Sequence, residues 1–139
     1  MGRRQRKREE KTQMLLRTAM DIIVESGFDG LTMPGLAERA DVAVGGLYRY
    51  FKGKTDLLTA LQIRAITQLH TWMEDAGTEP GRAGVRQLVL AVESFSQAHP
   101  TSFALLENAI SDPRRLLDDA QAARVEVALV PILELVSGK

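Results

Sequence analysis

The chain has 139 residues, 45% hydrophobic and 26% charged, with 18 Lys+Arg balancing 18 Asp+Glu, ordinary proportions for a globular protein. It contains no cysteine, which excludes disulfides and thiolate metal sites and fits a reducing, cytoplasmic home. No apolar run approaches the ~20 residues that span a bilayer, and no signal-peptide pattern opens the chain, so no membrane partner is expected.

Overall neutrality conceals an uneven distribution. Residues 1–64 hold 12 Lys+Arg against 8 Asp+Glu, and residues 65–139 hold 6 against 10. A basic front and an acidic back suggest that the front meets a polyanion.

Residues 1–9 carry Arg3, Arg4, Arg6, Lys7 and Arg8 and are read as a basic arm without structure of its own. From Met14 the pattern changes. Leu15, Ala19, Ile22 and Ile23 recur at three- and four-residue spacing, the period of an amphipathic helix, predicted over about 10–26. Gly27 ends it, because glycine takes the left-handed conformation at a helix C-terminus without steric cost. Thr32 is a good N-cap for a short second helix, and Pro34 is tolerated in its first turn. Asp41 suits a tight turn and Val42 plugs it. A third short helix follows, with Leu47, Tyr50 and Phe51 on one side. Asp56 is placed to reach back to free N–H groups at the start of a fourth helix, which Leu57, Leu58, Leu61, Ala65, Leu69, Trp72 and Met73 carry to about residue 75.

Residues 77–81 form a loop by composition. A fifth helix is expected at about 83–98 with Val85, Leu88, Val89, Val92 and Phe95 inward, and a sixth at about 101–110 on Phe103, Leu106 and Ile110. Ser111-Asp112-Pro113 is a helix-start signal. The seventh helix that follows should kink or end near Pro131, and Asp118-Asp119 is taken as a solvated face. No strand-like alternation of useful length appears. The fold class is therefore all-α: a three-helix head over residues 10–56, then a helical body over 57–139 that is short enough to suggest truncation.

The stretch TMPGLAERADVAVGGLYRYFKGK, residues 32–54, carries the function. Two short helices lie about three residues apart, with a small residue at Ala37 and an apolar plug at Val42. That spacing suits a helix-turn-helix, whose second helix stands proud enough to enter the ~12 Å major groove. Gly27-Phe28, Thr32, Leu36-Ala37-Glu38-Arg39-Ala40 and Leu47-Tyr48-Arg49-Tyr50-Phe51, then Lys54 and Asp56-Leu57-Leu58, resemble the tetracycline-repressor-like (TetR/AcrR) family of bacterial regulators. The resemblance covers about residues 10–62.

It implies roles at matching positions. Tyr48 would meet a phosphate through its hydroxyl, and Arg49 would reach a phosphate or a guanine edge. Tyr50 divides between a phosphate contact and inward packing. Lys54, at a helix N-terminus, would pair with a phosphate, and Thr32 would offer one its hydroxyl. Three positions depart from the family's pattern: Ala43 where Ser is common, Val44 where a polar or basic residue is common, and Gly46 where Thr is common. The missing cap hydroxyl costs about 1 kcal/mol, and each helix glycine about another 1 relative to alanine. Val44 would then touch a thymine methyl, while Gly45 and Gly46 let the backbone approach the DNA. In the arm, Arg3, Arg4, Arg6, Lys7 and Arg8 would follow the phosphate backbone or enter the minor groove, against the plainer reading of a solubilising tail.

For the body, the resemblance implies a homodimer and a small-molecule effector. Dimerisation also follows from geometry, because two heads ~34–36 Å apart read a palindrome that one short helix cannot. Trp72, Met73, Phe95, Phe103 and Leu106 are candidate ligand-lining residues, although such spacing more often means plain core. No cofactor is expected. An enzyme is disfavoured, since His70 and His99 are the only histidines and no convergent catalytic spacing accompanies them. The expectation is a DNA-binding transcriptional regulator at the nucleoid, a dimeric repressor released by an effector. The alternatives are a helical protein-interaction adaptor or a DNA-binding fragment without effector response.

Overall fold

Residues 2–77, 79, 81–112 and 115–137 are described by a computed structural model. Thr78, Pro80 and Pro113, on which the loop and helix-start expectations partly rest, lie outside the described residues. Among the described residues the order is α1 (Arg3–Ser26), a 3-10 turn (Phe28–Gly30), α2 (Met33–Arg39), α3 (Val44–Leu47), α4 (Lys54–Asp75), α5 (Gly81–Ala98), α6 (Pro100–Ser111) and α7 (Asp119–Ser137). Contacts divide the chain between Ala60 and Leu61 into two compact units, each taken here by itself.

In the first unit, α1 presents Leu15, Leu16, Ala19, Ile22 and Ile23 to a core completed by Leu31, Met33, Leu36, Ala37, Leu47, Phe51, Leu57 and Leu58. Each of the Leu, Ile, Met and Phe side chains contributes roughly 1.5–3 kcal/mol when fully buried. Gly27 closes α1 with φ at +76°, and its N–H bonds the Ile23 carbonyl at 2.8 Å. On the surface, Arg39 of α2 meets Glu25 of α1 through both guanidinium nitrogens, the Nη2–Oε1 contact at 3.0 Å. That hydrogen bonding holds the Glu25 carboxyl below its ordinary pKa.

The arm is the first correction. Helix α1 begins at Arg3, not near residue 10. Arg, Lys, Gln and Glu are good helix formers, and extending an existing helix lacks the cost of nucleating one. Gln13 Nε2 to Glu9 Oε1 at 3.0 Å adds a local tie.

The second unit packs Leu61, Ala65, Ile66, Leu69 and Met73 of α4 with Ala91 and Phe95 of α5, Leu105, Leu106 and Ala109 of α6, and Val125 of α7. Of the expected inward face of α5, Phe95 is buried and Leu88 and Val92 are half-buried, but Val85 and Val89 are about 60% exposed, at 59% and 61%, and Gly84 and Ala91 are buried instead. A Cβ at Gly84 would fall 1.7 Å from the Glu79 carbonyl oxygen, so glycine lets the chain pass closely there. Ile110 likewise faces solvent, and Leu105 fills the α6 core.

Helix α7 starts at Asp119, with Asp118 accepting the Gln121 N–H at 2.9 Å. Asp118 is thus a cap and not merely part of a solvated face. The helix runs through Pro131 to Ser137. Proline removes one N–H, but both Pro131 and Val127 are exposed, so water can serve the orphaned carbonyl.

Candidate nucleic-acid interface

Helices α2 and α3 are short because their boundaries are chemically marked. The Thr32 hydroxyl accepts the Gly35 N–H at 3.1 Å and caps α2. A Cβ on Gly35 would sit 2.8 Å from that same oxygen, so glycine keeps the cap open. The hydroxyl proton remains free to be donated outward. Asp41 adopts φ of 56°, and the Val42 N–H returns to the Ala37 carbonyl at 2.9 Å. With Ala37 buried, α3 can cross α2 closely.

Helix α3 has no side-chain cap at Ala43. Its i→i−4 bonds are Leu47 to Ala43 at 3.0 Å and Tyr48 to Val44 at 3.1 Å; the chain then tightens to i→i−3 bonds at Arg49 and Tyr50. Regular α-helix therefore stops at Leu47, and Tyr48, Arg49 and Tyr50 lie on a tighter turn. Leu47 and Phe51 anchor the segment in the core. Val44, Gly45, Tyr48 and Arg49 are exposed. An added Cβ at Gly45 or Gly46 would meet nothing within 4 Å, and neither has positive φ. Nothing within the fold therefore requires glycine at these two positions.

Lys54 is the first residue of α4. Just before it, the Lys52 N–H donates to Asp56 Oδ2 at 3.0 Å, the backward reach anticipated for that carboxylate. Thr32 and Lys54 thus stand at the N-terminal ends of α2 and α4, where the helix dipole favours an anion.

Arm and recognition segment meet in a way sequence alone does not show. Arg8 Nη2 donates to the Arg49 carbonyl at 3.0 Å, and its guanidinium carbon lies 4.6 Å from the Tyr50 ring centroid. Arg8, Lys11, Asp41, Gly46, Arg49 and Tyr50 line one cleft of about 360 Å³. By helical geometry Arg4 and Lys11 share the face of Arg8, while Arg3 and Arg6 fall on the far side of α1. Tyr50, half-buried, spends its ring on Arg8.

The candidate ligand residues separate. Met73, Phe95 and Leu106 are closed into the body's core. Trp72 packs edge-on against Phe95 and His99, with centroids at 5.8 and 5.5 Å, and its Nε1 donates to Ser94 Oγ at 3.0 Å. It lines an open groove of about 760 Å³ with Asp75, Gln87, Leu90, Ala91 and Glu93. Phe103 is half-buried. A polar seam went unanticipated: fully buried Gln62 donates to Asn108 Oδ1 at 2.8 Å, and Ser102 donates to Gln68 Oε1 at 3.0 Å. Its signal was present, since Gln62 lies four residues from Leu58 on the apolar stripe of α4.

Comparison with known proteins agrees with this geometry. Residues 15–61 match the model of the bacterial regulatory proteins of the tetR family. The HTH-type transcriptional repressor KstR of Rhodococcus jostii is 29% identical over 118 residues, 85% of this chain and 54% of that protein. The class A tetracycline repressor protein of transposon 1721 from Escherichia coli is 33% identical over 92 residues, 61% of this chain and 43% of its own length. The chain spans about half the length of these relatives. Among solved structures, a tetR-family regulator from Shewanella sp. PV-4 superposes with a TM-score of 0.73 at 24% identity, covering 92% of this chain and 69% of the other.

Proposed function

We propose that this chain, whose residues 15–61 match the tetR-family model, is a DNA-binding transcriptional regulator acting as a repressor in the cytoplasm. The observation that carries this reading is the outer face of α3. Val44, Gly45, Tyr48 and Arg49 are exposed on a segment anchored behind by Leu47 and Phe51, and its glycines border open space. A bare backbone there costs helix stability and has no internal purpose. It suits a surface on which a base-pair edge lies against the peptide chain.

In this reading Arg49 contacts a guanine edge or phosphate, Val44 a thymine methyl, and Tyr48, Thr32 and Lys54 the flanking phosphates. Arg3 and Arg4 add backbone charge from the helical arm. A homodimer sets two α3 segments into successive major grooves of a palindrome. An effector held by the body would release the dimer by favouring its DNA-free arrangement.

The test is anisotropy of a labelled duplex recovered by selection from a random pool, followed across a salt series. Specific binding with a steep salt slope is expected. Arg49→Ala should relax base preference at one position per half-site, and Lys54→Ala should weaken all sequences alike. Equal, salt-insensitive affinity for every duplex contradicts the reading.

A further inference from the structure

Helix α3 is poorly equipped to hold its own shape. It lacks a side-chain N-cap, contains two glycines, and ends after a single α-turn. The turn beyond it carries Tyr48 and Arg49, the side chains assigned to DNA, together with Tyr50. A free helix end of this kind leaves carbonyls without partners.

One side chain from another helix supplies what is missing. The Arg8 guanidinium donates to the Arg49 carbonyl at 3.0 Å and lies 4.6 Å from the Tyr50 ring centroid. A cation at a helix C-terminus is favoured by the dipole, and a charge-assisted hydrogen bond is stronger than a neutral one. The planar guanidinium can stack on the ring while donating at its edge, which an ammonium cannot reproduce.

We propose that Arg8 is a positioning residue for DNA recognition. It caps the recognition segment from α1, fixes the turn bearing Tyr48, Arg49 and Tyr50, and makes no phosphate contact of its own. The helical arm thereby contributes to recognition by pre-organising α3, beyond the charge it adds. This rests on the DNA-binding reading, and the test separates the two.

Arg8→Ala and Arg8→Lys are compared with the wild type on one selected duplex across a salt series. Positioning predicts that both variants bind about tenfold more weakly, because neither restores the stacked fork. The slope of log affinity against log salt should stay at its wild-type value. A phosphate contact predicts that Lys rescues binding and that Ala lowers the slope by ~0.9; that pattern overturns the proposal. Amide exchange in the free proteins gives a second readout. Residues 49–51 should exchange faster in both variants while helix content is kept, since the buried set of α1 begins only at Leu15. Unchanged exchange also overturns it. If the wild type binds no duplex, the DNA reading fails, yet the exchange data still decide whether Arg8 holds the turn.

Discussion

Replacing Gly45 and Gly46 together by alanine separates what the fold needs from what DNA needs. A Cβ at either position meets no atom within 4 Å, and neither residue has positive φ. The substitution therefore adds no clash and should stabilise α3. Glycine to alanine gains roughly 0.5–1 kcal/mol per helical position, partly by restricting the unfolded chain. Both sites lie in the first turn, so about 1 kcal/mol in total is the sound expectation. At this chain length that raises Tm by roughly 2–4 °C. On DNA the sign reverses, because two methyl groups now stand between the backbone and the groove. A loss of at least ~1.4 kcal/mol, or about tenfold in affinity, is expected. Thermal melts followed by circular dichroism and duplex anisotropy measure the two effects. Higher Tm with undiminished affinity refutes close backbone approach; lower Tm refutes the helical description of α3.

Other substitutions test other parts of the account. Thr32→Val removes the cap on α2 and should cost about 1 kcal/mol in denaturant melts, with weaker binding to all duplexes. Lys54→Ala should leave stability nearly unchanged while lowering the salt slope by ~0.9. The lowered pKa of Glu25 means that its pair with Arg39 contributes stability above the unfolded value near pH ~4.3, lost as pH falls through the folded value. Glu25→Gln should therefore narrow the Tm difference between neutral and acid pH, modestly for so exposed a pair. In the body, Gln62→Leu strands Asn108 and should cost about 1–3 kcal/mol. The Gln62→Leu, Asn108→Leu double variant should recover most of that loss; simple addition of two penalties would contradict the paired reading.

What was legible in the sequence follows from which interactions are local. Gly27, Thr32, Asp41 and Asp56 act within a few residues of themselves, so local sequence alone places the helix-turn-helix. Periodicity located α4 well, but it misjudged α5. Val85 and Val89 satisfy a helical stripe as well as Gly84 and Ala91 do, and local spacing does not decide between them. Arg8 was seen as one of several arm cations. Its partners lie 41 residues away for the Arg49 hydrogen bond, a separation no local pattern encodes. The early start of α1 was missed because charge density suggested disorder, whereas a helix already anchored by Leu15 and Leu16 can extend through good helix formers.

The most direct test is an amide chemical-shift map of the labelled protein titrated with its selected duplex. The largest changes should fall on Thr32–Gly35, on residues 44–50 and on Lys54, and residues 81–137 should move far less. Changes concentrated in α5 to α7, with α3 silent, would contradict recognition by the outer face of α3.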